Sequence, residues 1–208
     1  MTRFALLTTL VALVASAPAC AQKKPTGVQD MDPAKLMAEY MKMMRVQKQH
    51  KFLVGTFAGE FNVVQTIFGM GPKPQVVKGA TKGESLYGGR YVRTVTKAKM
   101  MGMPTTSEAT LGYDNALKRF DMTWISSMST QTIRSVGKLS EDGKTLTFTG
   151  HMEDPFVGKR PVRHVFTVKD QGYDFVSFDT MRTGQEFKVM EMTFTRKAAK
   201  KTDDGAIK

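Results

Sequence analysis

From Phe57 to Arg196 apolar and polar residues alternate in about ten short runs, each ended by turn chemistry. In the first run Phe57, Gly59, Phe61, Val63, Gln65 and Ile67 share a face. Further on, Arg93, Lys97 and Lys99 alternate with Val92, Thr94, Thr96 and Ala98. Phe120, Met122, Trp124, Ser126 and Met128 form one face of another run, and Val162, His164, Phe166 and Val168 one face of a later one. Gly88-Gly89, Asp142-Gly143 and Asp170 to Gly172 mark tight connections. The runs at Tyr173 to Met181 and Glu186 to Arg196 are apolar on both faces, so a cover on their outer side is expected.

A different period precedes the strands. Asp32 suits an N-cap and Pro33 the first helical position, and helix is expected from 32 to 50. Leu36, Met37, Tyr40, Met41, Met43 and Met44 would form its apolar stripe. That stripe could plug a barrel mouth or pack on the outer wall. A soft-metal site of methionine thioethers is a third reading, but helical spacing of Met37, Met41 and Met44 favours packing, and no metal is expected.

About ten short strands at hairpin spacing predict an all-β fold. The expected form is an antiparallel up-and-down barrel of about ten strands with one N-terminal helix. The rival, a two-sheet sandwich, needs longer crossing connections than these links provide. The barrel domain is placed at 51–197 and a polar, disordered tail at 198–208. Small or mildly polar inward positions (Gly79, Thr81, Gly83, Ser85, Thr94, Thr96, Ala98, Ser135, Gly137) predict a roomy half-lumen. It would face a wall of Phe120, Met122, Trp124, Leu146, Phe148 and Phe166.

The first residues change the compartment. Arg3, the apolar run Phe4 to Ala17 and the small residues up to Ala21 read as a signal peptide over 1–21, followed by a polar linker at 22–31. A periplasmic or secreted location follows. A lipidated Cys20 is the rival reading; Pro18 and the absence of a Leu three residues before Cys20 speak against it. Cys20 is the only cysteine, so no intrachain disulfide can support the fold. No later segment is apolar enough for a membrane-spanning helix. The formal net charge is +12, but the lysines and arginines are dispersed. Dispersed charge describes a solvated face better than a nucleic-acid site, and no nucleic-acid partner is expected.

Several stretches occur together in a fixed order: His50-Lys51-Phe52-Leu53 before Gly55-Thr56-Phe57, Gly88-Gly89-Arg90-Tyr91, and Met100-Met101-Gly102-Met103-Pro104. Leu111-Gly112-Tyr113-Asp114-Asn115, Trp124 through Thr130, and Glu186-Phe187-Lys188-Val189-Met190-Glu191 follow. Over roughly residues 50 to 197 the chain resembles a secreted bacterial domain family of unknown function, calycin-like, whose members look like lipocalin or fatty-acid-binding barrels. Phe57 stands where that family's glycine-x-tryptophan start has tryptophan. The resemblance implies a barrel, export and a small-molecule pocket; it transfers no catalytic residue.

Catalytic motifs are scarce. There is no CxxC, HExxH, GxSxG or phosphate-cradling glycine loop, and the Asp-rich turns lack calcium-loop spacing. His164 has inward parity and could orient a ligand's polar end or ligate a haem iron; a core histidine satisfied by a neighbouring hydroxyl or backbone carbonyl is the favoured reading. Glu191 could pair with it as acid and base, and Arg90 could meet a ligand's acid group or stand in water at the rim. His50, at the end of the predicted helix, would suit the helix dipole as a cation. The expectation is a non-catalytic barrel without a cofactor. It would bind a small, apolar or amphipathic molecule through Met122, Trp124, His164 and Phe166. The alternative is a filled barrel acting through its surface, or an enzyme built on His164 and Glu191.

Overall fold

The computed structural model describes residues 32–181 and 183–198. The predicted signal peptide, the linker and nearly all of the tail lie outside the described residues. The chain divides into two compact units at Ala38 and Glu39. In the first, Asp32 caps α1 (Pro33–Met43): Ala34 N donates to Asp32 Oδ1 at 2.9 Å, as expected. The second contains the rest of α1, α2 (Lys48–Phe57) and ten strands.

Those strands are β1 (Gly59–Ile67), β2 (Gln75–Leu86), β3 (Tyr91–Met100), β4 (Met103–Asp114) and β5 (Arg119–Ser126). β6 (Ser129–Leu139), β7 (Thr145–Asp154), β8 (Gly158–Lys169), β9 (Gly172–Thr180) and β10 (Glu186–Arg196) complete the set. Each pairs antiparallel with its chain neighbour, and β1 pairs with β10, closing the barrel. Closure leaves no edge strand and excludes the sandwich. Side-chain alternation then fixes inside and outside: Phe61, Val63, Gln65 and Ile67 are buried on β1, while Glu60, Asn62 and Val64 are exposed.

The helical segment expected over 32–50 is present as two consecutive helices, with a break after Met43 and an end at Phe57. Phe57, expected to open the first strand, is the last residue of α2. The element that enters the barrel is α2, through Leu53 and Phe57, whereas the methionine stripe of α1 buries nothing. The Phe57 ring stands edge-on to Phe166 and Tyr173 at 5.3 and 4.8 Å. Gly83 allows this entry, because a Cβ there would overlap the Phe57 carbonyl. One barrel end is therefore floored by α2, and the hairpins β1–β2, β3–β4, β5–β6, β7–β8 and β9–β10 lie at the other.

Side chains tie the link between the helices to the floored end. Asn115 Nδ2 donates to the carbonyls of Met43 and Arg45, both at 2.8 Å. Arg90 donates to the carbonyls of Met44 and Tyr87. Arg90 thus sits exposed at the rim of the floored end, satisfying backbone acceptors. His50 is the third residue of α2, not a C-terminal cation: its Nδ1 accepts from Gln47 N at 3.1 Å. Burial lowers its pKa, against a hydrogen bond with the Tyr113 backbone, and Arg90 lowers it further. Phe178 lies under the Arg163 guanidinium, 4.0 Å from the ring centroid.

Candidate functional site: two chambers in the lumen

Beyond Val92 and Leu111 near the floor, the inward residues of β3 and β4 are small: Thr94, Thr96, Ala98, Thr105, Ser107 and Ala109. Opposite them, β8 to β10 contribute Phe166, Tyr173, Phe175, Met190, Met192 and Phe194. Between these walls lies a cavity of about 200 Å³, floored by Phe57 and reaching Met100 and Met128 toward the hairpin end. The predicted division into a small half and an aromatic half is present. The glycines contribute less room than expected, because neighbours fill their space: a Cβ on Gly137 would lie 2.6 Å from the Phe148 ring, and Gly83 receives the α2 backbone.

The polar atoms of this chamber are largely committed. Thr81 and Thr96 share a hydroxyl hydrogen bond of 2.7 Å, Thr105 Oγ1 donates to the Ala98 carbonyl at 3.2 Å, and Gln65 Nε2 contacts Met190 Sδ at 2.8 Å. A guest would meet mainly methyl, methylene and aromatic surface.

Trp124, Phe175 and Met190 line this chamber and a second one, of about 170 Å³. Met122, Ile133, Val162, His164, Ser177 and Asp179 also line the second chamber. His164 is buried, its Nδ1 3.1 Å from Ser177 Oγ and its ring stacked on Phe175. Desolvation lowers its pKa to about 4, so the imidazole is neutral at physiological pH. Its Nε2 is buried without a hydrogen-bond partner. An unpaired buried polar atom is costly, and here it belongs to a residue lining a void. Asp179, at the chamber's edge, pairs with Arg160 at 2.9 Å, and Arg160 also reaches Asp154 at 3.3 Å.

The four residues expected to bind ligand all face inward, but they do not form one cluster. Trp124 lines both chambers, Phe166 the larger, and Met122 and His164 the smaller. Sequence reasoning missed Ser177 and Asp179 because β9 reads as apolar on both faces, and Arg160 because nothing local on β8 announces its pairing with Asp179 on the next strand. The alternation Tyr173, Phe175, Ser177, Asp179 was the signal available. Glu191 and His164 lie on opposite faces of the barrel wall. Glu191 points outward and pairs with Lys188 at 2.5 Å. The acid–base pair imagined for these two residues is therefore not assembled. Among the described residues no group of three or more His, Cys, Asp or Glu side chains could hold a metal ion, and no helix is long and apolar enough to cross a membrane.

The sequence pattern of the DUF1579 family, proteins of unknown function, matches residues 45–196, which span α2 and the whole barrel. The chain belongs to this family. No curated protein matches it. The DUF1579 match begins beyond α1, so the shared unit is the barrel together with its floor helix. In this DUF1579 barrel the floor ring is Phe57, supplied by the Gly55-Thr56-Phe57 end of α2.

Proposed function

We propose that this barrel is an exported, non-catalytic carrier that holds a small, largely apolar molecule in its lumen, with a polar end at His164. One observation carries the reading: a void with mostly committed polar walls adjoins a buried imidazole whose Nε2 has no partner. Apolar burial would supply affinity at roughly 25 cal/mol per Å². The neutral imidazole would accept from or donate to a hydroxyl, carbonyl or amide at little desolvation cost, since it is already dehydrated. Export rests on the leader-like residues 1–21. The alternative of a surface-acting, filled barrel drew on apolar outer faces of the last strands, and Arg163 covers Phe178 there.

Trp124 is the only tryptophan and lines both chambers, so its emission reports occupancy. Titration with straight-chain alcohols and amides is expected to shift that emission saturably. Ala109→Phe, which places a ring in the larger chamber, should abolish the shift while leaving the far-UV spectrum intact. Absence of any shift across the panel, together with native mass spectrometry showing only bare chain from the source cells, would refute the reading.

A further inference from the structure

The hairpin end of the barrel carries an apolar residue on every hairpin. Met70 stands in the β1–β2 loop, Met101 and Met103 at β3–β4, Met128 at β5–β6, Phe156 at β7–β8 and Met181 at β9–β10, all exposed. The floored end is mixed: its β6–β7 and β8–β9 connections, at 140–144 and 170–171, are wholly polar or glycine, while Tyr87 and Leu117 stand exposed on the β2–β3 and β4–β5 connections. Scattered exposed apolar residues are ordinary; one on each tip of a single rim is a pattern.

Local geometry holds these side chains outward. Phe156 is 91% exposed, yet its turn is ordered: Phe156 N and Val157 N donate to Asp154 Oδ1 at 2.8 and 3.1 Å. Met101 occupies the left-handed region at φ 50° beside Gly102 at 80°, a position where a tight hairpin favours Asn, Asp or Gly. Turn chemistry explains neither side chain.

The charges beside the rim select among occupants. Lys73, Lys99 and Lys159 are exposed near the tips and have no acidic partner among the described residues. Asp154 and Glu186, the acids nearby, are held by Arg160 and Arg163, which leaves Glu153. A second copy would bring like-charged rims together. A rigid protein surface would have to match separate tips around a mouth. A deformable apolar layer with an anionic face satisfies both the tips and the lysines.

We propose that the hairpin end of this barrel docks on anionic lipid bilayers, inserting the methionine tips and Phe156 while Lys73, Lys99 and Lys159 meet the headgroups. Of the inserted tips Met128 alone also lines the larger chamber, so vesicle binding and Trp124 occupancy can fail separately.

The test uses the full chain and vesicles of equimolar phosphatidylglycerol and phosphatidylcholine, or of phosphatidylcholine alone. Phe156→Trp and Leu117→Trp place a second reporter at the hairpin end and at the floored end. Brominated acyl chains are expected to quench the reporter at 156 and not at 117, in the anionic vesicles only, with loss of quenching at high salt. Phe156→Ser is expected to weaken co-sedimentation about tenfold, as the loss of one buried phenyl group implies, with an unchanged thermal midpoint. Equal quenching at both positions, binding indifferent to anionic lipid, unaltered binding of Phe156→Ser, or no vesicle binding would overturn the proposal. The last result would leave the rim to a protein partner.

Discussion

Lowering the pH should destabilise this protein through His164, and the effect can be isolated. In the unfolded chain the imidazole titrates near 6.5; in the fold, burial lowers it to about 4. Between those values the unfolded state binds a proton that the folded state refuses. Stability is therefore full above about pH 6.5 and is lost as pH falls toward 4. The depression corresponds to about 3 kcal/mol, a large share of the stability of a single domain. Carboxylates add their own losses at low pH. Hydrogen bonds from the Phe156 and Val157 backbone hold Asp154 below the usual range, with help from Arg160, and Arg163 does the same to Glu186. The assay is consequently a difference. Urea midpoints for wild type and His164→Gln are measured from neutral pH to about pH 4, since Gln keeps a polar group near Ser177 without titrating. Wild type should lose about 3 kcal/mol more than the variant across that window. Parallel losses would refute the claim that His164 is buried and neutral.

Two further outcomes concern the floor. Phe57→Ala removes the ring between Phe166 and Tyr173 and should cost about 3–5 kcal/mol in chemical denaturation; a loss below about 1 kcal/mol would mean that α2 does not close the barrel. Asn115→Ala frees the Met43 and Arg45 carbonyls, and the amides of Met44 and Arg45 should exchange faster while those of β7 and β8 are unaffected. Unchanged exchange at Met44 and Arg45 would show that Asn115 does not hold the link.

The fold was legible because alternation has a period of two, and burial of one face admits one register. Phe61, Val63, Gln65 and Ile67 declare their side of β1 without reference to any other strand. Boundaries at the floor were not legible in the same way. His50 to Phe57 suit either the end of a helix or the start of a strand until the barrel offers Phe57 a place against Phe166 and Tyr173. The site was half legible. Inward parity placed Trp124, Met122, His164 and Phe166 correctly, but parity does not say which inward residues touch a void.

Taken alone, the chain determined a ten-stranded closed sheet, its inward set and the small-against-aromatic division of that set, because these depend on local periodicity. The tertiary structure decided what depends on distance through space. Phe57 and Phe148 fill the room beside Gly83 and Gly137, so the larger chamber lies against β3 and β4. His164 meets Ser177 from the next strand and keeps Nε2 unpaired, while Glu191 falls on the opposite side of the wall. The hairpins that bring the apolar tips to one rim are far apart in sequence, and only closure of the barrel makes them neighbours.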